Sequence, residues 1–310
     1  MSTKNTNAQV LWNDLKVSFK FAIKNIISFI LAMFGVLIVT GLIVALLAAI
    51  IVIPLFLSGG LFTFIDLLTM WLNTAQALPG AAAFLVILAM FTPLFAPFMV
   101  ALGALYGMGR EIVESEGTTA EGVFSWYGKK FLPLAGAGIV QFIILVAPLA
   151  LGILIVGPVN YSLSDVGLAA IGLSSIVIYF AIVSGLLSLV FPAVIDGKSV
   201  IESVKISFKL STKYFDRVFS VWLSYLGILL LTLIPLFGAI MLDPSGPFGP
   251  EAFSLISYVS IMMLFDILVL LPALVIGMNR IYMILVSDNM SETTSYDQEP
   301  FDEVSFVGGD

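Results

Sequence analysis

The chain has 310 residues, 60% of them hydrophobic and only 11% charged, whereas a soluble domain averages about 25% charged. A water-soluble core of this length could not hide so much apolar surface, so the expected solvent is lipid and the expected fold class is all-α integral membrane. Cysteine and histidine are both absent, which excludes disulfides, thiol nucleophiles, the usual zinc ligands and the usual neutral-pH proton shuttle.

The net charge of −7 is a local property. Asp288, Glu292, Asp297, Glu299, Asp302, Glu303 and Asp310 carry the whole imbalance, and the residues before them hold 13 bases and 13 acids.

Residues 1–25 read as a cytoplasmic N-terminus bearing a basic amphipathic helix. Lys16, Lys20 and Lys24 line one helical stripe, while Leu11, Leu15, Phe19 and Ile23 line another. A helix so built lies on a membrane surface, with its apolar side down and its ammonium groups towards lipid phosphates. The apolar run that starts near Ile26 is far longer than a signal peptide's core of roughly 7–15 residues, so no cleaved leader is expected.

About 20 apolar residues cross a bilayer core. Six stretches qualify, at 26–57, 81–108, 131–157, 167–195, 219–242 and 253–286, and together they make 26–286 a six-span membrane domain. Pro54, Pro93, Pro97, Pro148, Pro192, Pro235 and Pro272 lie in or near these spans, where neighbouring helices can satisfy the carbonyls they free. The connection at 58–80 is greasy, with Leu61, Phe62, Phe64, Leu67, Leu68 and Trp71. It reads as an interfacial helix on the outer surface, because Asp66 argues against deep insertion. The connection at 243–252 reads as a tight turn, and the acidic tail 287–310 as a disordered cytoplasmic segment with a protein partner.

All 13 lysines and arginines precede the first span, lie between the second and third or the fourth and fifth, or, as Arg280 does, stand in the end of the sixth. The segments 58–80, 158–166 and 243–252 have none. The positive-inside rule therefore expects a multi-pass plasma-membrane protein with both termini in the cytoplasm.

One internal repeat stands out. Leu15–Ile26 reads LKVSFKFAIKNI and Val204–Phe215 reads VKISFKLSTKYF, with Lys16/Lys205, Ser18/Ser207, Phe19/Phe208, Lys20/Lys209 and Lys24/Lys213 identical at one offset. Val123–Phe131, VFSWYGKKF, is a fainter echo. The expected architecture is three units, each a basic amphipathic cytoplasmic helix before an odd-numbered span and its return. Lys16, Lys20, Lys24, Lys205, Lys209, Lys213 and Arg217 are the candidate lipid-headgroup residues, with Arg217 extending the later stripe. The plain reading is that they only set topology and anchor helix ends. The sharper one is a site for anionic lipid or another phosphate-bearing ligand.

Asp266 lies about midway along the sixth span, where an ionised aspartate costs about 2.5–3.5 kcal/mol to insert. It reads either as a proton- or ion-coupling site or as a neutral carboxyl hydrogen-bonded across a helix interface. Gln141, at similar depth, is a candidate for that partner. Gly103 and Gly107 form a small-xxx-small pattern for internal helix packing, and Glu111, Glu114, Glu116 and Glu121 read as one solvated helix. There is no phosphate-binding loop, zinc-protease motif or dinucleotide fingerprint, and without histidine the serines lack their usual base. No catalytic residue, metal site or cofactor is expected.

Tyr106-Gly-Met-Gly-Arg-Glu-Ile-Val-Glu-Ser-Glu-Gly-Thr-Thr with Val123-Phe-Ser-Trp-Tyr-Gly-Lys-Lys resembles a signature of a family of uncharacterised archaeal membrane proteins. Val190-Phe-Pro-Ala-Val-Ile-Asp-Gly-Lys-Ser-Val-Ile-Glu-Ser-Val-Lys-Ile-Ser does too, and is similar to the membrane domain of some glycerophosphodiester phosphodiesterases. The resemblance covers most of 10–286 and implies a six-span bundle in an archaeal plasma membrane. The catalytic domain of those fusions has no counterpart here, so their activity does not transfer. The function expected is non-enzymatic: organising membrane lipids, anionic ones among them, or partner proteins at the cytoplasmic face, with no role for nucleic acid. The alternative is a transporter of a small molecule or lipid that uses Asp266.

Overall fold

The computed structural model describes residues 8–77, 80–115, 117–156, 166–242 and 252–296, with side-chain surroundings for 8–50, 95–115, 117–146, 174–235, 257–288 and a few positions between. Among them the chain is helical apart from short breaks. The connection at 158–166 and the turn expected at 243–252 fall almost wholly outside the described residues, as does the tail beyond Tyr296.

Helices α1 (Ala8–Lys24), α4 (Ala120–Lys129) and α8 (Val200–Lys213) are short. Each is parted by one residue (Asn25, Lys130 or Tyr214) from a long apolar helix: α2 (Ile26–Ala77), α5 (Phe131–Val156) or α9 (Phe215–Leu242). Lys130 and Tyr214 have left the helical conformation in the same way, with φ −116° and −118°, and the chain turns by 81° between α4 and α5. The return helices are α3 (Gly80–Ser115), the broken pair α6 (Val166–Leu187) and α7 (Val190–Ile195), and the pair α10 (Ala252–Phe265) and α11 (Leu271–Tyr296). A single π-helical turn, Asp266–Leu270, joins α10 to α11. Pro272 follows it and has no N–H to offer the preceding turn.

Three repeats are thus visible in the backbone, and they interlock. Each short helix packs on the hairpin of the unit before it: α4 on α3 and α2, α8 on α6, α7 and α5, and α1 on α11 and α9. The last contact closes a ring, first helix against last. The return helices α3, α7 and α11 meet, and Met108, Ile112, Val190, Val194, Ile276 and Leu285 on them are buried in one core.

The faces that dock are unusual. In α1 the buried residues are Asp14, Ser18 and Ala22; α8 buries Leu210 and also Ser203, Ser207 and Ser211. These are the same repeat positions, and α4 buries Val123 and Tyr127 at the last two of them. Small residues let the short helices approach closely, as in membrane helix pairs generally. Leu11, Leu15 and Phe19, expected to face lipid, are half-buried against the bundle. They fill the flank of the same contact.

Among the described residues four stretches, Ile26–Ile50, Ser174–Ile195, Phe215–Pro235 and Ser257–Asp288, are long and apolar enough to cross a membrane, and α4 with α5 makes a fifth if that bent pair is one span. Along α2 a stripe of Ile27, Leu31, Phe34, Ile38, Leu42 and Leu46 is exposed, which suits lipid contact. Two expectations differ from the fold. Residues 58–77 do not form a separate interfacial helix: α2 runs on as one helix of 52 residues, about 78 Å at the usual rise. Neither Pro54 nor the Gly59–Gly60 pair ends it. The first residues of the acidic tail, expected to be disordered, are helical, since α11 runs to Tyr296.

Candidate functional site

The three short helices gather at one end of the bundle, held there by side chains. On the outward sides of α1 and α8 stand Lys16, Lys20 and Lys24, and Lys205, Lys209 and Lys213, all exposed. Lys213 Nζ lies 5.1 Å over the Tyr214 ring, a cation–π distance. One turn ahead of each ladder an apolar side chain is exposed, Trp12 in α1 and Ile201 in α8. Both docked faces are mostly small residues, with Leu210 added in α8, and the lysines stand on the exposed side.

Arg217 does not extend that ladder. It is buried, and its Nη2 donates to Asp14 Oδ2 at 3.2 Å, while Arg280 Nη1 donates to Asp14 Oδ1 at 2.8 Å. Asp14 is itself buried. A buried carboxylate needs a paired charge, and here two arginines from α9 and α11 supply it. The pair locks α1 onto the third unit. Ser18 Oγ donates to Asp14 O at 2.7 Å within α1. Its counterpart Ser207 instead donates to Leu186 O at 2.7 Å and accepts from Leu189 N–H at 3.2 Å, serving backbone groups where α6 breaks before α7.

A second cluster ties the return helices together at the same end. Arg110 Nη1 donates to Asp196 Oδ1 at 2.7 Å and its Nε to Glu114 Oε1 at 2.7 Å, and Tyr282 Oη donates to Asp196 Oδ2 at 3.0 Å. Burial opposes the charge on Arg110, but its hydrogen bonds and its attraction to Asp196 and Glu114 outweigh that and raise its pKa. Glu111, read as part of a solvated helix, accepts from Trp126 Nε1 and Thr118 Oγ1, both at 2.7 Å. It is a docking residue for α4. Gly103 and Gly107 face Leu134 and Trp126, where an added Cβ would come within 2.5 and 2.3 Å, so this pattern packs internally.

Asp266 opens the π-helical turn. Its Oδ2 lies 2.9 Å from Thr232 Oγ1 on α9, whose one hydroxyl hydrogen is shared with Leu229 O at 2.7 Å. Its Oδ1 is buried without a hydrogen-bond partner. Beside it is a cavity of about 150 Å³ between α9 and the α10–α11 helix, walled by Trp222, Tyr225 and leucines. The partner suggested by depth, Gln141, is elsewhere: its Nε2 donates to Leu187 O at 3.0 Å, at the α6–α7 break. Glutamine goes there because the break leaves that carbonyl without its helical donor.

Two functional residues escaped the sequence reading. Asp14 left one signal, an acid inside a basic run. Thr232 left only a hydroxyl in an apolar span. No family model, curated protein or solved structure matches this chain, so the geometry alone argues for its function.

Proposed function

We propose that the protein is a non-enzymatic, six-span integral membrane protein whose basic cytoplasmic helices gather anionic lipid headgroups or a partner carrying phosphate groups. One observation carries this reading: α1 and α8 dock through matching stripes of mostly small residues and turn matching lysine ladders outward at the same end of the bundle. Juxtamembrane lysines attract anionic lipid at about 1 kcal/mol each, and an exposed Trp12 or Ile201 beside them adds an apolar anchor for the headgroup boundary. In this reading α3, 36 residues long, is the span that completes six. The basic end is cytoplasmic, as are both termini, and the location is a plasma membrane, archaeal if the family resemblance holds. The acidic tail takes a protein partner. The test is lipid binding by the purified protein with Lys205, Lys209 and Lys213 changed to Gln. A weakened preference for anionic over neutral lipid is expected, and an unchanged preference would sink the proposal.

A second reading, transport of a small molecule or lipid, is favoured by the cavity beside Asp266. Flux across proteoliposomes that is lost in Asp266→Asn would support it, and flux indifferent to that change would remove it.

A further inference from the structure

The charged side chains at the basic end answer one another: Asp14 has two arginines, and Asp196 has Arg110 and Tyr282. Asp266 is different. Among the described residues no cation lies within ion-pair distance of it, and Oδ1 has no donor at all. Whichever way the single Thr232 hydrogen points, Oδ1 remains in want of one.

The surroundings restrict what could supply it. Trp222 Nε1 is committed to Ala181 O at 3.1 Å and Tyr225 Oη to Ala273 O at 2.9 Å, so these side chains offer the cavity their rings and not their polar tips. The remaining wall is leucine: Leu226, Leu229, Leu270 and Leu274 among them. Apolar walls and two aromatic rings, with one carboxyl at their edge whose Oδ1 is closed to water, suit a ligand with an apolar body and a cationic N–H donor that reaches the carboxyl on entering, since ring quadrupoles attract cations and a desolvated carboxylate needs a paired charge. The cavity's 150 Å³ is about the volume that admits a benzene ring. Trp222, Leu226, Leu229 and Leu274 are half-buried, so the cavity opens to the outside of the bundle. Two of its lining residues, Asp266 and Leu270, begin and end the π-helical turn, a distortion that often marks functional sites.

We infer that this cavity binds a small hydrophobic ammonium ion drawn from the bilayer, with its charge on Asp266 and its body among the leucines. The inference gives the transport reading a substrate class but concerns equilibrium binding, so absent flux with binding intact would remove transport alone. It does not depend on the lysine ladders.

The test uses the full chain in nanodiscs of uncharged lipid, with fluorine NMR of fluorobenzylammonium and of its neutral isostere fluoroethylbenzene. The ammonium probe is expected to bind more tightly than the neutral one. Asp266→Asn should weaken the ammonium probe about thirtyfold or more, as losing one partner of a desolvated charge pair does, and leave the neutral probe unchanged. Leu274→Trp, which fills the cavity, should exclude both. Equal binding of the two probes, ammonium binding indifferent to Asp266→Asn, or binding that survives Leu274→Trp would each overturn the inference. Should Asp266→Asn fail to fold, the contrast between the probes on the unaltered protein and the Leu274→Trp result decide it.

Discussion

Asp14 Oδ1 accepts a hydrogen bond from Arg280 Nη1 at 2.8 Å across 266 residues of sequence, and this contact, with Arg217 beside it, joins the first helix to the last. Removing one member of a buried charge pair leaves the other charges uncompensated and costs about 3–5 kcal/mol. Asp14→Ala should therefore lower the thermal midpoint in detergent and raise hydrogen exchange throughout 8–24 before the rest of the bundle. Unchanged exchange in α1 would show that the ion pair does not hold the ring closed.

Ser18 and Ser207 hold the same repeat position but do different work. Ser207 satisfies Leu189 N–H and Leu186 O at a helix break, whereas Ser18 bonds its own helix. A buried donor left unsatisfied costs about 1–3 kcal/mol, so Ser207→Ala should destabilise clearly more than Ser18→Ala. Equal thermal shifts for the two would contradict the assignment.

Gly107 packs against Trp126, and a Cβ there would come within 2.3 Å of the indole. Overpacking of this kind costs about 1–3 kcal/mol, so Gly107→Ala should destabilise. Gly227→Ala has nothing within 4 Å of the new Cβ and should stabilise α9 by about 0.5–1 kcal/mol. Thermal unfolding of the two variants measures the contrast.

The lysine ladders of α1 and α8 are repeats in sequence and in register, so they should contribute alike. Changing each lysine to Gln should weaken binding to anionic vesicles about fivefold, in either ladder. The effect should fade as salt rises and the Debye length falls. Co-sedimentation at two ionic strengths checks both statements.

The chain has no cysteine, which makes single-cysteine topology mapping direct. Cysteine at Ser245 or Asn73 should react in intact cells with a membrane-impermeant maleimide, and cysteine at Ser305 should react only after permeabilisation. Labelling of Ser305→Cys from outside would reverse the proposed orientation.

Helical composition, the places of the long apolar helices and the repeat were legible in the chain because each is a local pattern. Hydrophobic runs long enough to cross lipid mark α5 and α9 within a few residues, and the repeated lysines mark α1 and α8. What sequence alone could not decide was which face of each short helix docks, since Leu11 and Phe19 advertise an apolar face while the small stripe of Asp14, Ser18 and Ala22 carries the closer contact. It could not pair Asp266 with Thr232, place Gln141 at the α6–α7 break, or remove Arg217 from the surface. Each of those depends on residues tens to hundreds of positions apart, and on carbonyls and charges that become unsatisfied only once the helices are packed. Periodicity chooses the helices; desolvation of polar groups in the assembled bundle chooses their partners.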